Sequence, residues 1–400
     1  LAKLVVGTTA PSAGSSVVAQ FDGSIRTENY VIMHDSSNNS NAIGWYYNAN
    51  NMMELMSEGS GTKNLYIPGN VSGSSTSTGS FGVLKLGNYN QAYGTSNLNT
   101  YYGILAGGAT TIATRNVAIG NSALAAEDVG DRSVAIGYYT MTSQNSDSDN
   151  ETTGNTGVGY AAAYYNVTGQ YNTFVGYQTA FGATGESHSN NVAVGYQSLF
   201  SITSGGGNVA VGRSAGYGIN TGLQNVLVGQ SAGLDLTIAR YNTAIGYEAL
   251  RTDDVGDKTV AIGHSAFYSQ NSDSNNETTG NTGVGNSVGY YNVTGQNNTY
   301  IGHESGQGTS GYSNSSNTAV GYRSLYINRT GTENVAIGKD SMKDATTSDG
   351  TVAVGAESLY NVTSGNNNVG LGKQALYYVT TGAGNVAVGL KALKDNTANN

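Results

Sequence analysis

Apolar and polar positions alternate through a five-residue phrase, Asn116-Val117-Ala118-Ile119-Gly120, which returns with small variations as far as Asn385-Val386-Ala387-Val388-Gly389. From Gly120 to Gly389 the closing glycines are separated by 17, 22, 17, 19, 17, 17, 17, 17, 22, 17, 19, 17, 17, 17 and 17 residues. Period-two alternation over a short run predicts a strand. Its return at a nearly fixed short period predicts a solenoid, in which each coil buries its apolar face only by stacking on its neighbours. No 3.6-residue pattern is sustained, so the chain reads as all-β: a parallel β-roll of mostly 17-residue coils.

Taken by columns, the phrase states its own physics. Four residues before the glycine stands Asn in 13 of 16 repeats, the exceptions being Ser133, Thr259 and Thr351. Stacked Asn side chains both donate and accept, so this column predicts a hydrogen-bonded ladder along the axis. Three before the glycine every residue is Val or Thr, and one before it every residue is Val, Ile or Leu. These two positions share a strand face, and that face is expected to line the core. Between them stands Ala in 10 repeats and Gly in 3, with Phe174, Leu227 and Tyr300 the large exceptions. So small a column is expected to point the other way, against a neighbouring backbone. The glycine is expected to form a tight corner with positive φ.

A second segment follows the corner, clearest in Ser358-Leu359-Tyr360-Asn361-Val362-Thr363. It is expected to supply a second strand per coil, and hence a second parallel sheet. The spacing pattern itself repeats after seven coils, or 126 residues: 143–159 matches 269–285 at 16 of 17 positions. In each copy the 22-residue coil carries a polar, acidic insertion, with Asp147, Asp149 and Glu151 in the first and Asp273 and Glu277 in the second. Two coils later each copy has a shorter one, at Gly185-Glu186-Ser187-His188 and Gly311-Tyr312-Ser313-Asn314. Insertions at one corner protrude from one edge of the stack, where repeat proteins often place binding loops.

Outside the array, residues 1–80 read as a small β-rich N-terminal module. Strand-like runs occur at 4–6, 16–21, 30–33, 45–47, 52–56 and 65–67, with a hairpin signal at Asp22-Gly23. Residues 81–115 read as irregular capping coils, 116–393 as the array, and 394–400 as a tail. Leu84-Lys85-Leu86-Gly87 and Asn99-Thr100-Tyr101-Tyr102-Gly103 are imperfect copies of the phrase.

Composition narrows the function. Glycine numbers 58 and proline 2, and charged residues make up 11%, which excludes collagen-like, Pro-rich and highly charged disordered chains. A net charge of −9 with scattered Lys and Arg leaves no electrostatic footprint for nucleic acid. There is no cysteine, hence no disulfide framework or thiolate metal site. No run of 18 apolar residues predicts a spanning helix, and residues 1–6 are too short for a signal-peptide core. The missing initial Met suggests a processed product or a fragment.

The phrase and the small residues after it, as in Asn116-Val117-Ala118-Ile119-Gly120 with Ser122-Ala123 and Asn334-Val335-Ala336-Ile337-Gly338 with Ser341, resemble the head repeats of trimeric autotransporter adhesins. They also resemble repeats in tail fibres of bacterial viruses. The resemblance covers about 300 of the 400 residues. It implies a left-handed roll, three chains about a common axis, and an extracellular or virion-surface location. The coils are longer than the adhesins' repeats, and the chain carries neither their coiled-coil stalk nor their membrane barrel. That turns the expectation toward a viral tail fibre. A self-assembling extracellular filament or a bacterial adhesin head is the alternative.

No catalytic set emerges, and the expectation is a non-enzyme without cofactor. Glu127, Asp128 and Asp131, repeated as Asp253, Asp254 and Asp257, read as a solvated structural corner; a structural calcium ion is the other reading, since oxygen ligands converge on one turn. His264 and His303 follow corner glycines two coils apart, too far to share a metal. Tyr138, Tyr160, Tyr177, Tyr196, Tyr247 and Tyr322 share that slot. An exposed Tyr column can stack on sugar rings or form a cross-coil ladder that stabilises the corner. The expected partners are further copies of the chain, as a trimer, and a cell-surface glycan or protein receptor. Its binding residues would lie among these tyrosines and the acidic insertions.

Overall fold

The computed structural model describes residues 30–33, 43–47, 53–57, 90–93, 98–146, 152–272, 274 and 277–397. The chain divides into two units, residues 1–79 and 80–400. In the first, β1 (Tyr30–Met33), β2 (Ile43–Tyr47) and β3 (Met53–Ser57) form an antiparallel sheet in that order. The runs expected at 4–6, 16–21 and 65–67, and the turn at 22–23, lie outside the described residues.

The second unit starts with β4 (Asn90–Tyr93), which runs antiparallel to β5 (Thr100–Gly103). From β5 onward each strand pairs parallel with the next in sequence, one per coil, making 17 parallel strands that end at Val386–Val388. The register is strict: Val209 faces Val226, Ala210 faces Leu227 and Val211 faces Val228. At about 4.8 Å per strand the sheet is roughly 80 Å long. Residues 99–103 thus form a true coil. The antiparallel β4 was not anticipated, because its sequence carries no copy of the phrase.

The corner glycines behave as expected. Gly137 has φ +136°, and a β-carbon there would lie 2.3 Å from the Gly159 carbonyl oxygen of the next coil. No side chain fits either constraint.

The Asn ladder is present and buried. The Asn172 side-chain oxygen accepts the Asn191 backbone N–H at 2.9 Å and the Asn191 Nδ2 at 3.3 Å. Asn172 Nδ2 in turn donates to the His188 carbonyl at 2.7 Å. Asn191, Asn208 and Asn225 repeat the pattern, each Nδ2 tying the strand start to the turn that closes its own coil. Every polar atom of these amides is paired, as a dry interior requires.

Two expectations are corrected. First, the inside and outside of the strand are reversed. The middle, small column is fully buried: Ala118, Ala193, Ala244 and Ala336 are each 0% exposed. The Val/Thr and Val/Ile positions on either side lie half-exposed or exposed, with Ile119, Val192 and Ile301 at 37%, 36% and 41%. The interior is too narrow for branched side chains from the strand, because the opposite wall already fills it. That wall contributes the residue four after the glycine, such as Leu124, Met141, Leu199, Phe267 and Leu359, all 0% exposed. Sizes compensate. Where the strand brings in Tyr101, Leu227 or Tyr300, the opposing position is Gly107, Gly233 or Gly306; Phe174 faces the small Ala180. A β-carbon on Gly306 would sit 2.5 Å from the Tyr300 ring. Where both positions are small, as at Gly283 and Gly289, a neighbouring coil's Phe267 fills the level. Close packing at one bulky side chain per level therefore sets which face is in.

Second, the segment after the corner is not a strand. It is a run of turns in which the residues two and four after the glycine are left-handed, as at Gln197 (φ 51°) and Leu199 (φ 49°). Coil-to-coil backbone bonds persist there, for example Leu199 N–H to the Ala215 carbonyl at 3.0 Å and Gly216 N–H to Ala232 at 2.9 Å. Among the described residues each coil thus has one strand, and the array has one parallel sheet facing a wall of stacked turns.

Candidate functional site

Three features rise above the regular coil. The first is the aromatic column after the corner. Tyr138, Tyr160, Tyr177 and Tyr196 are 40–50% exposed and stack nearly parallel, with centroid separations of 5.7, 5.0 and 5.3 Å. The Arg213 guanidinium ends the stack 6.0 Å from the Tyr196 ring. Tyr247 stacks on His264 at 5.2 Å, and Tyr322 lies between His303 at 5.5 Å and Arg323 at 5.1 Å. The inner rings therefore have both faces covered by their neighbours and turn edges and hydroxyls to solvent. A sugar cannot stack on a face already taken, so the inner rings form a cross-coil ladder, each stacked pair stabilising the array by about 0.5–1.5 kcal/mol. A second, half-buried stack, Tyr164, Phe181, Phe200 and Tyr217, runs through the same coils at 5.4, 5.4 and 5.0 Å.

The second feature is the root of each long insertion. Ser133 and Thr259, where the Asn ladder is interrupted, immediately precede the 22-residue spacings. Gln144 Nε2 donates to Ser133 Oγ at 3.1 Å and to Glu127 Oε2 at 2.9 Å, and its Oε1 accepts from Asn155 Nδ2 at 2.9 Å. Gln270 repeats this with Thr259, Asp253 and Asn281 at 2.8, 2.8 and 2.9 Å. Glu127 and Asp253 are 0% exposed. Glu127 also accepts the Gly130 and Ser146 amides, and Asp253 those of Gly256 and Ser272. Burial pushes the Asp253 carboxyl above its usual range, opposed by the bonds from Gln270, Ser272 and Gly256. The acidic corner is structural but not solvated. Asp131 and Asp257 likewise accept backbone amides of the preceding coil, Thr114 at 2.5 Å and Arg240 at 2.6 Å. Among the described residues no three His, Asp or Glu side chains converge as a metal site.

Of the acidic insertion residues, Asp147, Asp149, Glu151 and Asp273 lie outside the described residues. Glu277 is half-buried, and its carboxylate accepts from Gln296 Nε2 of the next coil. The network glutamines were missed in the sequence. Their signal was the coincidence, in both copies, of a Ser or Thr in the ladder with a Gln 11 residues later.

The third feature is the shorter insertion. In the first copy Ser187 and Ser189 accept the Thr168 and Gln170 amides of the coil below at 3.0 and 2.9 Å, and His188 between them turns inward. Ser187, Ser189, Asn190, Ser204, Leu223 and Gln224 line a shallow groove of about 490 Å³ beside it.

No family model matches the sequence, and neither a curated protein nor a solved structure is detectably similar to it.

Proposed function

We propose that this chain is a non-catalytic fibre protein that assembles with further copies of itself and attaches to a host or surface, in the manner of a bacterial virus tail fibre. The observation that carries the reading is the strand face turned outward. It sets two parallel columns, mostly of Val, Thr and Ile, along the sheet, half-exposed or exposed, on a regular array. Apolar surface that is continuous over many coils is buried in the working form of a soluble protein, and a straight, repeating stripe is best matched by the same stripe on another copy. The resemblance to trimeric head repeats gives three as the copy number. Attachment would use the corner insertions, many weak contacts being multiplied by the number of copies.

The test is sedimentation of the wild type against the paired variant V209E/V211E. A trimer that the variant reduces to folded monomers supports the reading; a wild-type monomer overturns it. On glycan and cell-surface arrays, the oligomer should lose binding when residues 143–155 are replaced by a regular corner. Assembly without binding to any surface would leave a purely structural filament.

A further inference from the structure

Among the described residues, one fully buried ionisable side chain has no hydrogen-bond partner on any of its polar atoms. His188 is 1% exposed, and neither ring nitrogen has a hydrogen-bond partner. Its ring packs edge-on against Phe174 at 5.3 Å. The internal duplication supplies the comparison. At the equivalent positions, 126 residues on, stand Tyr300 and Asn314, and there the Tyr300 hydroxyl bonds Asn298 and Asn314 while Asn314 Nδ2 donates to the Asn328 carbonyl at 3.3 Å. The second copy pairs its buried polar groups. The first replaces the phenol by a phenyl ring and the amide by an unpaired imidazole.

We propose that His188 is an acid-sensitive latch: in its neutral form it seats the 183–189 insertion on the coil below, and its protonation at mildly acidic pH releases that insertion and reshapes the adjoining groove. A neutral imidazole can be buried against Phe174; an imidazolium there would have neither partner nor water. Burial drives the folded-state value from 6.5 to about 3, against a smaller opposing contribution from the residue's own backbone. The sign follows. The closed form keeps its full stability above about 6.5, the value in the open form, and loses it as pH falls below that. The surroundings isolate the effect. From Thr152 to Gly212 the only other ionisable side chains are exposed Glu186 and six tyrosines, of which Tyr165 borders Gly182 as His188 does. The released segment lies between defined anchors. The His188 amide donates to Asn166 Oδ1 at 3.1 Å, and the Thr168 and Gln170 amides are held by Ser187 and Ser189.

Hydrogen exchange of the His188, Thr168 and Gln170 amides, corrected for intrinsic rates, reads the latch in the intact chain. Between pH 7.5 and 5.0 their opening should increase about thirtyfold. The corresponding amides of Asn314, Thr294 and Gln296 should change little; the ionisable His303 and Glu304 on that coil are engaged at the corner with Tyr322 and Arg323. The double variant F174Y/H188N installs the Tyr–Asn pair of the second copy, with Ala180 in place of Gly306, and should make the first insertion pH-independent. Equal protection at both pH values in the wild type, or an undiminished acid effect in the double variant, overturns the proposal. Should the variant fail to fold, the comparison of the two insertions within the wild type decides alone.

Discussion

Gln270 replaces a missing rung of the ladder: its side-chain amide reaches the Thr259 hydroxyl at 2.8 Å and bridges it to Asn281 of the next coil. The long insertion starts beside this bridge, so lengthening the coil and keeping the interior paired are one problem with one solution. Gln270→Leu keeps the volume but strips bonds from Asp253, Thr259 and Asn281. Leaving buried polar groups short of partners costs about 1–3 kcal/mol each, so the midpoint of chemical unfolding should fall clearly, and proteolysis near Ser272 should speed up. Gln144→Leu should do the same near Ser146.

Corner glycines and loop glycines should separate sharply. Gly229 has φ +134°, and a β-carbon would lie 2.4 Å from the Gly246 carbonyl oxygen, whereas Gly185 at φ +82° has nothing within 4 Å. Gly229→Ala combines backbone strain with a clash and should cost about 3 kcal/mol or more. Gly185→Ala carries the strain alone, about 1 kcal/mol. Thermal unfolding of the two variants measures the difference.

The size compensation inside the array should appear as coupling. A β-carbon on Gly233 would lie 2.7 Å from Leu236 Cδ1 and 2.8 Å from Leu227 Cδ2. Leu227→Ala should cost about 3 kcal/mol through its cavity, and Gly233→Leu about 2 kcal/mol through overpacking. The pair together rebuilds the arrangement of Ala193 and Leu199, where Ile202 stands at the position of Leu236 and Leu199 has φ 49°. Its cost should fall below the sum of the singles by at least about 1 kcal/mol. Simple additivity in a double-mutant cycle would contradict the reversed orientation of the strand.

Tyr177 distinguishes a ladder from a receptor contact. It stacks on Tyr160 and Tyr196, so Tyr177→Ala should lose about 1–2 kcal/mol while Tyr177→Phe retains stability. If receptor binding nonetheless falls in the Phe variant, the exposed hydroxyl edge of the column is a contact surface; unchanged binding assigns the column to stability alone.

Much of this was legible in order. The coil length, the buried amide ladder, the glycine corners and the duplicated insertions follow from positions where one residue type alone meets a local constraint: Asn for two-way hydrogen bonding, Gly for positive φ against a neighbouring carbonyl. The facing of the strand was misread because β-branched residues suit a strand whether it is buried or exposed, and alternation by itself cannot say which side is in. The clue lay in pairs such as Leu227 with Gly233 and Tyr300 with Gly306, whose sizes vary together only if they meet. The network of Gln144 and Gln270 was hidden for a similar reason: its members are 11 to 20 residues apart and converge only when coils stack.

By itself, then, the sequence determined a stacked β-coil, its period and its interruptions, since these rest on local backbone geometry repeated many times. The tertiary structure decided what the interior contains. A space one side chain deep admits the small column and the opposing Leu, and so turns the Val and Ile columns outward. It also leaves the tyrosine rings to cover one another, and it closes His188 into a level where no partner reaches it. Those are questions of volume and proximity between coils, and only packing answers them.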